Sequence, residues 1–301
     1  VAAALLSALL ALTAGCGAGH GAGPPTDSAA PTSAPTRGGG NGGGDGPSWI
    51  VSGQTLARLL AVDRATATRA FDTPSTYVLT GSGAWSVPDG WRSTPTADFT
   101  SYGALRTALS AHRLDPRVRA VLYDNEHWSL TPAAEQADPA RYDRLAGQLA
   151  HRHHLLFLAA PSTDLTGVLR PGATTAGGTF DALLGTGLFG RIAPYADVLD
   201  LQGQGAEADP ARFAAFVRAA AAQARAANPR LTVVAGISTN PSGQAVDAAA
   251  IERAARAVRS DVGGYWLNDP SAGTACPRCA GPFPEVALSV ATALDAGGGG
   301  S

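Results

Sequence analysis

Lysine and methionine are both absent from this 301-residue chain, so every one of its 22 basic residues is an arginine. No side-chain amine can form a Schiff base or reach a nucleotide's phosphates from a glycine-rich loop, which excludes lysine-dependent aldolases, pyridoxal enzymes and phosphate-loop hydrolases. Charge is also sparse. With a formal net charge of -2 and no clustered arginines, the chain carries no electrostatic footprint for nucleic acid. It contains no Ser-His-Asp order, glycine-rich phosphate loop or paired metal motif, and neither a cofactor nor a metal is expected.

An apolar run from Val1 to Leu12 has the length of a signal-peptide core and is too short for a permanent bilayer span. It leads into Leu12-Thr13-Ala14-Gly15-Cys16, which resembles a bacterial lipoprotein signal, with Thr13 where leucine is commoner. The resemblance implies a signal peptide over 1–15 and a mature chain starting at Cys16, whose sulfur carries diacylglycerol. The protein would then sit outside the cytoplasm, held to the bacterial cell membrane by its lipid alone. With no initiator methionine or basic leader ahead of the run, the sequence is expected to start late. Residues 16–47 are almost wholly Gly, Pro, Ser, Thr and Ala, too poor in apolar surface to offset the entropy of ordering, and read as a tether. The glycine-rich 296–301 stretch reads as a flexible tail.

Residues 48–295 remain as one domain, and roughly 250 residues is a typical length for a (β/α)₈ barrel. Six apolar runs read as strands: Thr76 to Thr80, Val118 to Tyr123, Leu155 to Ala160, Ala196 to Leu201, Leu231 to Ile237 and Val262 to Leu267. Helical stretches follow at Tyr102 to His112, Pro139 to Arg152, Thr179 to Ile192, Pro210 to Ala227, Val246 to Arg259 and Pro284 to Leu294. Asp138-Pro139 and Asp209-Pro210 put a carboxylate at the N-cap and proline at the first helical position. Alternating apolar strands and helices imply a parallel sheet covered by helices, closed as a barrel or open and doubly wound. Length favours a TIM barrel, irregular in places, whose two missing strands would come from Ser48 to Ser52 and Ala97 to Ser101.

Active sites of such sheets lie at the carboxyl ends of the strands. Period-two alternation puts Leu122, Asp124 and Glu126 on one face, Asp200, Gln202 and Gln204 on another, and pairs Trp266 with Asn268. Asn240 ends the fifth of these strands, which makes four with polar tips, and Trp128 lies two residues beyond Glu126. If these faces converge, they form a polar mouth floored by an aromatic, suited to sugar hydroxyls and a pyranose face. Singly each residue also reads as a turn or cap, as Asn240-Pro241 and Asp269-Pro270 do. The Asp124 and Glu126 Cα atoms would lie about 6 to 7 Å apart, close enough for one carboxyl to raise the pKa of the other.

Asp124-Asn125-Glu126 together with Trp266 resembles the terminal Asp-x-Glu and floor tryptophan of the chitinase-like family 18 glycoside hydrolases, which are TIM barrels. The resemblance implies Glu126 as the acid that protonates the glycosidic oxygen. Asp124 would orient the substrate's acetamido group, which acts as the nucleophile. The family's longer motif carries another acid two residues before that Asp, where this chain has Leu122. Substrate contacts would fall to Gln202, Gln204, Asn240, Trp266, Asn268 and Trp128, with a cell-wall or environmental glycan as partner. Glu207 is a second acidic candidate, or simply a loop acid beside Asp209. A noncatalytic glycan-binding lipoprotein on the same scaffold is the alternative, and a structural envelope protein is a third reading.

Cys276-Pro277-Arg278-Cys279 is a lone CxxC, expected to form a local disulfide in an exported chain. The His151, His153, His154 cluster ends a helical stretch, where cations suit the helix dipole.

Overall fold

The computed structural model describes residues 46–81, 85–172, 176–273 and 276–296. Cys16, the 1–15 segment, nearly all of the 16–47 stretch and residues 297–301 lie outside the described residues.

Eight parallel strands close into a barrel in chain order, so the fold is a TIM barrel. The elements run β1 (Ser48–Ser52), α1 (Gly53–Val62), α2 (Arg64–Phe71), β2 (Thr76–Leu79), β3 (Thr94–Phe99), α3 (Tyr102–Ser110), β4 (Ala120–Asn125), α4 (Ala133–Ala137), α5 (Pro139–Arg152) and β5 (Leu156–Pro161). They continue with α6 (Thr166–Leu169), α7 (Ala176–Leu184), α8 (Leu188–Ile192), β6 (Val198–Leu201), α9 (Pro210–Ala227), β7 (Thr232–Ser238), α10 (Ala248–Ala257), β8 (Gly264–Asn268) and α11 (Pro284–Ala296). The ring closes between β1 and β8, in register from Ser48 opposite Gly264 to Val51 opposite Leu267. Glycine is required at that seam because a Cβ on Gly264 would overlap the backbone of Ser48.

The strands are apolar on both faces because each face meets a different core. Inward-facing Ile50, Leu79, Leu122, Leu158, Val198, Val234 and Trp266 fill the barrel. Outward-facing Trp49, Val51, Tyr123, Phe157, Leu199, Val233 and Leu267 pack beneath the helices. Ser52, Ser101, Asp138, Asp209 and Asp247 each accept the backbone N–H three residues on. Such caps contribute about 1 kcal/mol apiece.

The chain departs from its sequence reading at several places. The expected strand at Ala97 to Ser101 begins earlier, at Thr94, with Pro95 inside it. The helical stretch from Thr179 to Ile192 is two helices, parted at Gly187, which takes φ 65°. Two helices, α1 and α2, follow β1 where none was expected. The connection from β2 to β3, where no helix was expected, has none among its described residues.

Candidate functional site

The alternation that packs the barrel also delivers its polar residues. Counting upward from Leu122 on β4, the next inward residue is Asp124; from Val198 on β6 they are Asp200 and Gln202; from Trp266 on β8 it is Asn268. On β3, Thr96 and Asp98 share a parity, with Asp98 opposite Leu122 in register. The carboxyl end of the barrel therefore gathers acids and amides above an apolar plug.

Gln202 organises this mouth. Its Nε2 donates to Asp124 Oδ1 at 3.0 Å and to the carbonyl oxygen of Ala160 at 3.1 Å, tying β6 to β4 and β5. Gln204 Nε2 donates in turn to Gln202 Oε1 at 3.4 Å. Space for Gln204 exists because residue 236 is glycine: a Cβ there would stand 2.5 Å from Gln204 Oε1.

Glu126 follows β4 directly and remains partly exposed, as Asp124 and Asp98 do. Its loop is held from behind. Gln136 Nε2 donates to the carbonyl oxygens of Trp128 and Thr131, each at 2.7 Å, and the Trp128 indole N–H donates to Thr131 Oγ1 at 2.8 Å. Asn125 Nδ2 donates to the carbonyl oxygen of Glu135 at 3.2 Å, while the Glu135 carboxylate accepts the Tyr123 hydroxyl at 2.7 Å. His127 N–H donates to Asp164 Oδ1 at 2.9 Å, which brings that exposed carboxylate beside Glu126.

Burial and mutual repulsion make these carboxyls hold their protons. Glu126 is pushed up to about 7, first by burial and then by Asp164, with the Gln202 amide opposing the rise. Burial raises Asp124 well above the carboxylate range; Glu126, Asp200 and Asp98 add to the shift and the Gln202 hydrogen bond opposes it. Asp200 is raised well above that range too, by burial and by Glu126. Only 1% exposed, it has no hydrogen-bond partner for either carboxyl oxygen among the described residues, although the neighbouring Leu201 N–H opposes the rise. Burial also raises Asp98, against the Gly81 N–H that donates to it at 2.7 Å.

Of the residues expected at the site, Asp124, Glu126, Gln202 and Gln204 meet, and Trp266 and Asn268 share their inner face. The Trp266 indole N–H is buried without a partner among the described residues. Asn240 is different: it is completely buried beyond β7, and Cys279 Sγ lies 3.4 Å from its carbonyl oxygen. Because Cys276 and Cys279 form a disulfide, that sulfur carries no proton and the contact is one of packing. Trp128 serves its own loop through Thr131. Glu207 is fully buried and accepts the Ser238 N–H at 3.0 Å, so it acts as a backbone anchor for β7. His151 pairs with Asp197 at 2.9 Å at the opposite, amino-terminal end of β6.

Two further acids, Asp200 and Asp98, join the expected site residues. Asp200 shares the parity of Gln202, which was a usable signal. Asp98 lay hidden because the start of β3 was misplaced. Among the described residues, no three His, Cys, Asp or Glu side chains are placed to hold a metal ion. A cavity of about 330 Å³ sits apart from the mouth, lined by Trp85, Trp91, Asp115 and Arg117 and by none of the inward acids.

No protein-family model matches the chain, and no curated protein does. Among solved structures it is similar to triosephosphate isomerase from Bartonella henselae, at 11% identity and a TM-score of 0.43, over 81% of this chain and 97% of that one. At that identity the likeness concerns the fold alone.

Proposed function

We propose that the mouth is a glycan-hydrolysing site in which Glu126 is the general acid and Asp124 its partner. The observation that carries this reading is the state of Glu126, a partly exposed carboxyl at a strand's carboxyl end that holds its proton up to about pH 7. A group so poised is protonated often enough at neutral pH to give a proton to a leaving oxygen. In the chemistry that the family 18 resemblance implies, Glu126 protonates the glycosidic oxygen as its bond to the sugar breaks. The substrate's acetamido oxygen attacks the same carbon, and Asp124 accepts the acetamido N–H. Water then opens the intermediate and Glu126 recovers its proton. Trp266 and Asn268 supply an aromatic face and an amide for the bound sugar, alongside Gln202 and Gln204.

The same reading places the domain outside the cytoplasm on a lipid attached to Cys16, acting on cell-wall or environmental glycan. A noncatalytic glycan receptor is the second reading. It is favoured by Leu122, which stands 1% exposed in the barrel's apolar interior at the position where the resembled motif carries an acid.

Incubating the purified protein with a panel of cell-wall and storage glycans separates the readings. New reducing ends support the enzyme, saturable binding without cleavage supports the receptor, and neither binding nor cleavage contradicts both.

A further inference from the structure

Every connection between successive strands of the barrel carries a helix except the one from β2 to β3, which has none among its described residues. There the chain covers the sheet with the loop's own side chains: Val87 is buried in the outer core and Trp91 packs against that core. The cavity of about 330 Å³ lies at this connection, with the buried Val87 and Val118 and both Trp85 and Trp91 in its lining. Trp85 is 40% exposed, more than any other aromatic side chain among the described residues. It is nevertheless held at its root. Its backbone N–H donates to the Thr80 carbonyl oxygen at 3.4 Å, and a Cβ on Gly53, at the start of α1, would overlap the Trp85 Cβ. An exposed indole fixed in this way offers a flat apolar face to a ligand without first having to be ordered.

The polar part of the lining is balanced in charge, with two acids, Asp89 and Asp115, and two arginines, Arg117 and Arg119. Arg117 Nε donates to both Asp115 carboxylate oxygens at 3.2 and 3.3 Å, and its Nη2 donates to Oδ2 at 2.9 Å. These hydrogen bonds hold the Asp115 carboxyl down at about 2, so the pair stays charged throughout the neutral range. A lining without net charge favours neither a cation nor an anion. It does offer donors and acceptors to hydroxyl groups, next to two indoles. A flat apolar face edged by hydroxyls is the surface of a pyranose. When every ring substituent is equatorial both faces present only C–H groups, and β-1,4 links keep successive rings in one extended ribbon.

We propose that the cavity at the β2–β3 connection is a second carbohydrate site, in which Trp85 stacks on a pyranose of a neutral β-1,4-linked, gluco-configured chain and the Asp115–Arg117 pair takes its hydroxyls. The site holds the glycan on the outer wall of the barrel. It does not depend on what the mouth binds or cleaves, because none of the inward acids lines it.

The test is an NMR titration of the full chain carrying Glu126→Gln, which keeps the probes intact, following the indole N–H signals of its five tryptophans. The probes are cellohexaose, N-acetylated chitohexaose, maltohexaose and a proline decapeptide. The signals of Trp85 and Trp91 should move saturably with at least one of the two β-1,4 hexasaccharides. Maltohexaose, bent by its α-links, should bind more weakly. Trp85→Ala and Arg117→Ala, both at exposed positions, should each weaken this binding about tenfold, read from the Trp91 signal, while the fold is kept. Neither Trp85 nor Trp91 responding to either β-1,4 probe overturns the proposal, as does unchanged affinity in either variant. Maltohexaose binding as tightly overturns the β-1,4 assignment and the proposal with it. The decapeptide moving the two signals as strongly as the sugars also overturns it, since the cavity would then be a groove for extended peptide. The Trp266 signal separates the two sites: its movement alone overturns this proposal and leaves the glycan reading of the mouth standing. Movement of Trp85 and Trp91 without Trp266 supports the proposal and leaves the mouth to the cleavage assay.

Discussion

Gln202 reaches across from β6 and donates to the carboxylate of Asp124 on β4 at 3.0 Å. That bond ties β6 to β4 across the intervening β5. It also opposes the burial that drives protons onto both acids.

Replacing Gln202 with Leu removes that opposition. The midpoint for Glu126 should rise above about 7, followed by carboxyl-carbon NMR through a pH titration. A midpoint that falls toward the ordinary carboxylate value would show that Gln202 does not favour the charged form. The variant should also lose on the order of 1–3 kcal/mol in chemical denaturation, because Asp124 and the Ala160 carbonyl each lose a donor.

Stability should fall as pH rises toward neutrality. The folded Glu126 carboxyl keeps its proton to about pH 7, above its ordinary value of 4.5, so protonation favours the folded state. That contribution is complete below about pH 4.5 and is lost as pH rises through about 7, with a slope of at most about 1.4 kcal/mol per pH unit for one group. Asp98, Asp124 and Asp200 are shifted in the same direction and add to it. Denaturant midpoints measured from pH 4 to 8 check this: Glu126→Gln should flatten the decline, and an unchanged slope would contradict the assignment.

Two glycines separate barrel closure from site shape. Gly264→Ala pushes a methyl into the Ser48 backbone at the β1–β8 seam and should cost about 3 kcal/mol or more, or prevent folding. Gly236→Ala crowds the movable end of Gln204 and meets the Gln202 Cα at an ordinary 3.4 Å, so it should fold with little loss and weaken glycan binding. Thermal melts and binding isotherms of the two variants distinguish them; similar losses of stability in both would sink the distinction.

Much of this was legible in the sequence because both faces of a barrel strand are buried. That burial makes the strands stand out as apolar runs, and six were found within a few residues of their ends. β1, at Ser48–Ser52, was weaker, since a five-residue strand beside a glycine-rich stretch lacks contrast. β3 was displaced because Pro95 reads as a break, although in the barrel it stands opposite Val78 inside the ladder. The parity of Asp124, Gln202, Trp266 and Asn268 followed from alternation alone. Past a strand's end alternation says less about contacts: Trp128, beyond β4, bonds within its own loop through Thr131, and Asn240, beyond β7, is completely buried. The burial of Glu207 depended on how the β6–α9 loop folds back onto β7, a long-range contact with no local signature.

Membrane attachment is tested through Cys16. Cys16→Ser should move the protein from the detergent phase to the aqueous phase while the barrel's thermal transition stays unchanged. Retention of the variant in the detergent phase would remove the lipoprotein proposal.

The central claim is that Glu126 delivers a proton to a glycosidic oxygen. The most direct measurement compares the turnover of wild-type protein and Glu126→Gln on a glycan that the wild type cleaves, together with the affinity of each for that glycan. Glutamine keeps the shape and hydrogen bonding of the side chain and lacks the transferable proton. Turnover should therefore fall by about 10² to 10⁴ with binding retained. Equal turnover by the two proteins would contradict the assignment of Glu126 as the acid.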